Sequence, residues 1–206
     1  MTQQLYLITP PKFDLDEFAK TLANTLDAGD VSCVQLRLKE ASDDEIRKAC
    51  AVLRPIVQDR DIAFVLNDNP TLAKELACDG VHVGQEDTPY KKAREIMGKD
   101  AIVGMTCHDS KHMAMVAGEQ GADYVAFGAF YPTQTKEPKS KAEPWILEWW
   151  TSMFEVPCVA IGGITDENAT PLLEAGADFI AVCGGVWDHP DGPEEAVKKF
   201  TALLNS

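Results

Sequence analysis

The chain has 206 residues, of which 45% are hydrophobic and 25% charged, and this composition is typical of a soluble globular protein. It carries 19 Lys and Arg residues against 33 Asp and Glu residues, which gives a formal net charge of −14. Because nucleic acids and anionic membranes are bound by basic surfaces, we expect neither as a partner. A small anionic substrate stays compatible with this charge, since a few cations in a cleft act locally.

The length predicts a single domain that covers residues 1–206. Apolar runs such as residues 62–66 and 179–183 are far shorter than the ~18 residues that span a bilayer. The first residues contain no basic segment before an apolar run, so we expect no secretory signal and a cytoplasmic location. Six cysteines are scattered without any C-x-x-C pair, which is typical of reduced thiols.

Short β-rich runs alternate with amphipathic segments along the whole chain. The first helix is predicted from Leu15, Phe18, Leu22 and Leu26, which recur at helical spacing. Residues 42–45 form a capping box. Two further helix starts are predicted, one at Thr88, which precedes a proline, and one at Thr165. The last helix is predicted over residues 193–204. Strands are predicted at residues 5–9, 31–38, 62–66, 80–83, 101–105, 124–127, 156–161 and 179–183.

The alternation makes eight β/α units of similar length, and three of their helix-to-strand junctions share an aspartate, namely Asp79, Asp123 and Asp178. Alternating β and α elements predict parallel strands with helices outside. Eight units predict an α/β protein with a closed, eight-stranded (β/α)₈ TIM barrel. The second choice is an open doubly wound sheet, and the lack of a G-x-G-x-x-G motif after strand one disfavours its dinucleotide-binding form.

Polar or glycine-rich groups follow seven successive predicted strands, where a barrel of this kind has its active site. Three of these groups are the cations Arg37, Lys39 and Lys136, which suit phosphate oxygens. Asp68 and Asp87 follow adjacent strands and together suit one Mg²⁺ that also binds substrate phosphates. Cations beside a carboxylate-held metal predict a diphosphate ligand.

Glycine turns follow strands seven and eight, at Gly162-Gly163 and Gly184-Gly185. Such turns build the phosphate site that is common in barrels, from backbone N–H groups. Two phosphorylated substrates over one barrel predict a group transfer with diphosphate as leaving group. Two simpler interpretations stay open: Asp68 and Asp87 would also serve as helix N-caps, and His82 as a buried core histidine.

The motifs at these positions resemble those of the thiamine-phosphate synthase family over nearly the whole chain. They are Gln35-Leu-Arg-x-Lys39, Asn67-Asp68, Asp79-Gly-Val-His-Val-Gly-Gln85-x-Asp87, Pro132-Thr-x-Thr-Lys136 and Ala160-Ile-Gly-Gly-Ile164. The resemblance implies a transferase of thiamine biosynthesis. It moves a hydroxymethylpyrimidine group from its diphosphate to a thiazole phosphate, releases diphosphate and requires Mg²⁺.

The same resemblance implies roles for individual residues. It assigns diphosphate binding and catalysis to Arg37, Lys39, Asn67, Thr106 and Lys136, and the metal to Asp68 and Asp87. It places Gln35 and His82 against the pyrimidine. It assigns substrate binding at the thiazole phosphate to Thr133, Thr135, Gly163, Cys183 and Gly184.

Two alternative functions accompany this assignment. Separately, the sequence leaves open whether the protein forms a homo-oligomer. The strand-five position that is usually serine is Thr106, and the strand-eight turn is Cys183-Gly184-Gly185 where the family usually has a Val-Ser-Ala-like turn. A thiazole tautomerase with His108 as acid or base at the substrate is one alternative. The other is a non-catalytic paralogue that binds thiazole phosphate.

Overall fold

Eight parallel strands pair in chain order and close into a barrel in the computed structural model, which describes residues 3–133 and 140–206. Strand β8 pairs with β1, where Leu5 lies opposite Ile180. The TIM-barrel prediction is therefore confirmed. The strands are β1 (Gln4–Ile8), β2 (Cys33–Leu36), β3 (Ala63–Asn67), β4 (Gly80–Val83), β5 (Ile102–His108), β6 (Tyr124–Gly128), β7 (Cys158–Ile161) and β8 (Phe179–Val182).

Helices cover the outside of the barrel, and none of those in the described ranges is long and apolar enough to cross a membrane. The capping box of α2 forms as predicted, with Ser42 and Glu45 exchanging side-chain and backbone hydrogen bonds. The helices are α1 (Leu15–Asp27), α2 (Asp43–Gln58), α3 (Pro70–Glu75), α4 (Tyr90–Met97), α5 (Lys111–Glu119), α6 (Trp145–Met153), α7 (Thr170–Glu174), α8 (Gly184–Trp187) and α9 (Pro193–Leu204).

Two predicted helix starts are wrong. Pro89 has an extended backbone with ψ of 140°, so α4 begins one residue later and has no side-chain cap. Thr165 lies in a turn, because the Asn168 side chain accepts its N–H at 2.8 Å, and α7 begins only at Thr170. The short helix α8 lies where the sequence predicts only a turn.

Strand ends differ from the predicted ones where the neighbouring strand decides them. Strand β2 ends at Leu36, because the N–H of Arg37 donates to the Thr9 side chain and not to a neighbouring strand. Strand β5 continues to His108, past the predicted end at residue 105, through a register shift against β6 between Thr106 and His108.

Apolar side chains fill both faces of the sheet. The outer layer, between strands and helices, contains the fully buried Phe64, Phe127 and Trp150. The inside of the barrel is packed by a second cluster, formed by Tyr6, Ile8, Cys33, Val65, Tyr124, Ala126, Val159 and Ala181. Because the interior is filled, a substrate site has room only above this layer, at the rim.

The three junction aspartates of the sequence repeat have one structural role. Each carboxylate accepts the backbone N–H of a residue in the preceding strand, at the amino end of the barrel. The starts of β3, β5 and β7 are fixed in this way, by a charge-assisted hydrogen bond. Asp79, Asp123 and Asp178 bind the N–H groups of Phe64, Val103 and Cys158 at 2.7, 2.7 and 2.8 Å.

Candidate active site

One cavity of about 980 Å³ opens at the carboxyl ends of the strands. It gathers residues from every strand end, although they are scattered along the sequence. Thr135 and Lys136 fall outside the described residues. Every other site residue predicted from the sequence lines this cavity: Gln35, Arg37, Lys39, Asn67, Asp68, His82, Asp87, Thr106, His108, Thr133, Gly163, Cys183 and Gly184.

The cations Arg37 and Lys39 lie in the loop after β2, beyond the predicted alternation along a strand. Their backbone is held against the loop after β1: Thr9 Oγ1 accepts the N–H of Arg37 at 3.0 Å, and the Pro11 carbonyl accepts that of Lys39 at 3.1 Å. Within residues 3–133 and 140–206, neither side chain forms an ion pair with a carboxylate. Their charges are therefore available to an anion in the cavity.

Asp68 and Asp87 follow the neighbouring strands β3 and β4, and the structure excludes the helix N-cap interpretation for both. Asn69 caps α3 by accepting the Leu72 N–H at 3.0 Å. The carboxylate of Asp87 accepts the N–H of Gly84 at 2.7 Å, so it fixes the loop before α4. Both residues line the cavity.

The donor set fits Mg²⁺. In the described part of the chain, no group of three or more His, Cys, Asp or Glu side chains forms a complete protein cage for a metal. Two carboxylates match the usual coordination of Mg²⁺ in proteins. This ion takes one or two carboxylates from the protein, and waters and substrate phosphates complete its octahedral coordination shell.

Backbone strain is concentrated at the cavity. Five described residues other than glycine have a positive φ, and three of them line the cavity: Glu40 (58°), Asp68 (68°) and His108 (54°). The left-handed conformation is unfavourable for such residues and persists only where the surrounding structure imposes it. All three residues lie at or beyond the carboxyl ends of strands, on the rim where the sequence predicts the site.

The loops after β6 and β7 pack closely because Gly163 lacks a side chain. Its φ is +66°, and a β-carbon there would lie 2.3 Å from the carbonyl oxygen of Pro132. Asn168 ties the same loop together by donating to the Gly163 carbonyl at 3.0 Å. The loop is thus preformed beside Gly184, where the backbone N–H groups of a glycine turn suit a phosphate.

A chain of hydrogen bonds crosses the interior below the cavity and joins two predicted pyrimidine contacts. Gln35 Nε2 donates to the Tyr6 hydroxyl at 2.8 Å, and the hydroxyl oxygens of Tyr6 and Tyr124 are 2.9 Å apart. The Tyr124 oxygen is 2.9 Å from His82 Nδ1, and His82 Nε2 is 2.7 Å from Thr106 Oγ1. His82 is therefore both a buried, hydrogen-bonded histidine and a cavity residue.

Sequence analysis missed the two tyrosines of this chain and further cavity residues on the side of β7 and β8. Burial raises the pKa of Tyr6 and of Tyr124 well above the usual value, so both hydroxyls stay neutral. In the sequence, the only sign of this hydrogen-bond chain is a tyrosine within each of two predicted buried strands. Other missed cavity residues include Asp166, Asp188, His189 and Lys199.

Cys183 is the one cysteine that is not fully buried; all six are free. Its Sγ lies 3.5 Å from the Thr9 carbonyl oxygen, across from the loop after β2. Burial raises the pKa of this thiol to about 11, against the opposing effect of the Arg37 charge. The group at the predicted thiazole-phosphate turn is thus a neutral thiol.

Comparison with known proteins agrees with this geometry. A family model described as thiamine monophosphate synthase matches residues 5–186. Thiamine-phosphate synthase of Rhodospirillum centenum is 68% identical over 201 residues, which cover 98% of this chain and 97% of that protein. The enzyme of the same name from Hyphomonas neptunium is 52% identical, with 98% and 94% covered.

Solved structures show the same architecture. Thiamine phosphate pyrophosphorylase from Pyrococcus furiosus has a TM-score of 0.86 at 29% identity, covering 99% of this chain and 96% of that one. A geranylgeranylglyceryl phosphate synthase from Thermoplasma acidophilum, at a TM-score of 0.72 and 15% identity, shares the fold. On the family model and the relatives together, the chain belongs to the thiamine-phosphate synthase family of TIM-barrel enzymes.

Proposed function

We propose that this enzyme transfers a hydroxymethylpyrimidine group from its diphosphate to a thiazole phosphate and releases diphosphate, as a step of thiamine biosynthesis. The observation that carries the proposal is that one cavity is lined by two separate sets of groups that suit anions. Two cations and two carboxylates lie after β2 to β4, and glycine turns lie after β7 and β8. Two phosphorylated substrates can thus meet above one barrel. The six free cysteines support a cytoplasmic location for this reaction.

The first anion site stabilises the leaving group. Negative charge develops on the diphosphate as its bond to the pyrimidine methylene carbon breaks, and Arg37 and Lys39 place fixed positive charge beside it. Asn67 and Thr106 add polar side chains on the same rim. The family resemblance adds Lys136 to this set.

Asp68 and Asp87 are the residues that would hold Mg²⁺ in this site. When bound, Mg²⁺ supplies further positive charge to the diphosphate oxygens. The carboxylates contribute by holding two oxygen ligands at the ends of adjacent strands, and Gly84 orients the second of them. No residue of this chain needs to act as a covalent nucleophile.

The remaining cavity residues orient the two substrates. Gln35 and His82 are proposed to face the pyrimidine, and both are more than nine-tenths buried, which excludes water from that side. Thr133, Gly163 and the turn at Gly184 are proposed to hold the thiazole phosphate, with Thr135 added by resemblance. Fixing both reactants in one chamber favours attack of the thiazole nitrogen over hydrolysis.

Diphosphate release with both substrates, measured with Mg²⁺ and with EDTA, tests the proposal. We expect release only when both substrates and Mg²⁺ are present. Asp68→Asn and Asp87→Asn should each lower kcat by roughly 100-fold, because they remove a charge that fixes the metal. Asp100→Asn, an exposed loop carboxylate, is the matched control and should leave kcat unchanged. Full Mg²⁺-dependent turnover in both cavity variants would refute the metal site.

His108 supports a second candidate, the tautomerase, because it lines the cavity with a strained backbone. Isomerisation of a thiazole phosphate without Mg²⁺, abolished in His108→Ala, would establish that activity. Binding of thiazole phosphate with neither reaction would instead favour a non-catalytic protein. Diphosphate release that persists in His108→Ala supports the transferase.

A further inference from the structure

A cluster of charged and polar side chains lines the β7–β8 side of the cavity and has no role in the proposed reaction. Its members come from three segments: the loop after β7, the connection between α8 and α9, and α9 itself. They are Asp166, His189, Asp191 and Lys199, and we call them the Asp166 cluster. The cluster therefore ties one wall of the cavity together across three parts of the chain.

The carboxylate of Asp166 is the centre of this cluster. Its Oδ1 lies 3.7 Å from Nε2 of His189, and its Oδ2 lies 3.9 Å from Nζ of Lys199. Only 18% of the Asp166 side chain and 7% of the His189 side chain are exposed. Water and salt therefore screen the attraction between them less than they do on the open surface.

A backbone hydrogen bond fixes the tautomer of His189. The N–H of Asp191 donates to Nδ1 of His189 at 3.1 Å, so the neutral imidazole carries its proton on Nε2. A donor nitrogen therefore lies beside the Asp166 carboxylate. Lys199 donates to the Asp191 carboxylate at 2.9 Å, and this hydrogen bond lowers the pKa of Asp191 and raises the pKa of Lys199. Attractive groups thus face Asp166 from both of the other segments.

The same segments carry the glycine turns of the proposed thiazole-phosphate site. A β-carbon on Gly185 would lie 2.2 Å from the Ile164 carbonyl oxygen, so the turn after β8 packs directly on the loop after β7. The backbone joins the cluster to this turn, since the N–H of Asp188, next to His189, donates to the Gly184 carbonyl at 2.9 Å. The carboxylate at the centre of the cluster therefore spans the contact between the two turns.

We propose that Asp166 is a positioning residue for thiazole phosphate: through His189 and Lys199, its carboxylate holds the glycine turn after β7 against the glycine turn after β8. The inference rests on the proposed function, which places the phosphate at Gly163 and Gly184. Backbone N–H groups from two turns bind one phosphate well only where the turns are held in place in advance. Because a carboxylate repels a phosphate, Asp166 contributes through the turns and not by touching the substrate.

Removal of the Asp166 charge separates positioning from simple electrostatics by the sign of the effect. If the carboxylate only added negative charge to the cavity, Asp166→Asn would strengthen the binding of an anion. If it positions the turns, the same variant should weaken the binding of thiazole phosphate. We expect Kd to rise roughly tenfold, the scale for a residue that acts through its neighbours. Calorimetric titration with hydroxyethylthiazole phosphate, without the pyrimidine substrate, measures this Kd.

A second ligand and a second variant serve as controls. Inorganic diphosphate with Mg²⁺ is the reference ligand, since its proposed site at Arg37 and Lys39 does not include the cluster, and its Kd should not change in Asp166→Asn. Glu167→Gln removes the same charge one residue later, from an exposed side chain outside the cluster. It should not weaken the binding of thiazole phosphate. Circular dichroism establishes which variants fold.

His189→Asn removes one of the two contacts and leaves the local turn. An asparagine oxygen would accept the Asp191 N–H in an Asx turn, as Nδ1 of His189 does now. Its Kd for thiazole phosphate should rise less, roughly threefold, because Lys199 still faces Asp166. The double variant with Asp166→Asn should stay near the roughly tenfold loss of Asp166→Asn alone, because residues that act through one contact are not additive. A loss of roughly 30-fold, the product of the two, would show independent effects and contradict the link.

The remaining outcomes separate this inference from the proposed function. Unchanged or tighter binding of thiazole phosphate in Asp166→Asn would overturn the inference, and so would equal weakening of both ligands. Should Asp166→Asn fail to fold, His189→Asn decides by the same criteria. Weaker binding in the variants of an enzyme that releases no diphosphate would refute the transfer reaction and leave the inference standing. Absence of thiazole-phosphate binding by the unaltered enzyme would overturn both.

Discussion

Asp178→Ala should destabilise the barrel measurably, because it removes the acceptor for the N–H of Cys158. That hydrogen bond measures 2.8 Å, and Cys158 is fully buried, so the substitution leaves its N–H without this acceptor. A bond to a charged group contributes about 1.5–3 kcal/mol, and an unpaired buried N–H costs about 1–3 kcal/mol. We take about 2 kcal/mol as the expected loss in the free energy of unfolding.

For a chain of this size, about 2 kcal/mol corresponds to a fall in Tm of roughly 4–8 °C. Thermal unfolding followed by circular dichroism, with urea unfolding as a second measurement, gives the value. Asp178→Asn keeps an uncharged acceptor and should lose about half as much, while Asp100→Ala in an exposed loop should change Tm by less than about 1 °C. If Asp178→Ala also left Tm within about 1 °C, the strand N–H would have another partner and the reasoning would be wrong.

Three shorter predictions concern the cavity. Gly163→Ala should raise the KM for thiazole phosphate and leave the KM for the pyrimidine diphosphate unchanged, because the added β-carbon would lie 2.3 Å from the Pro132 carbonyl oxygen. Steady-state kinetics, with each substrate varied in turn, measures the two KM values. Arg37→Met should raise the KM for the pyrimidine diphosphate roughly 10- to 100-fold by removing a charge-assisted contact, and an unchanged KM would remove Arg37 from the diphosphate site. Because burial raises the pKa of Cys183 to about 11, its reactive thiolate is scarce at neutral pH. Its alkylation rate should therefore rise about tenfold per pH unit and level off only near pH 11. Mass spectrometry at this cysteine follows the rate, and a plateau near pH 8.5 would contradict the burial argument.

The alternation of apolar runs was sufficient to predict the barrel, because each strand is short and is bounded by a residue that stops it. Strand β4 begins at Gly80 as predicted, and helix α9 covers the predicted residues. The errors lie where a side chain or a neighbour competes with local propensity. Asn168 accepts the N–H of Thr165, where a helix is predicted to begin, and Thr9 accepts the N–H of Arg37, which ends β2 at Leu36.

The cavity residues were predictable because parallel strands deliver their carboxyl ends to one rim, whatever the distances along the chain. The supporting tyrosines were not. A strand that is buried on both faces is apolar on both, so its sequence does not reveal which residues point into the barrel. Tyr6 and Tyr124 meet only because β1 and β6 face each other across the interior, which is a property of the closed barrel.

Closure of β8 onto β1 makes the order of the strands around the barrel circular, so the chain could be opened at more than one connection. A linker could join the segment after α9 to the segment before β1, and the chain could be reopened at an amino-end connection, such as the exposed bend at residues 99–100 between α4 and β5. No cavity residue lies in that bend. A circular permutant opened there should keep the complete rim, whereas one opened between Asn67 and Asp68 would divide it. The activities of the two permutants would thus show at which positions the enzyme tolerates a break in the chain.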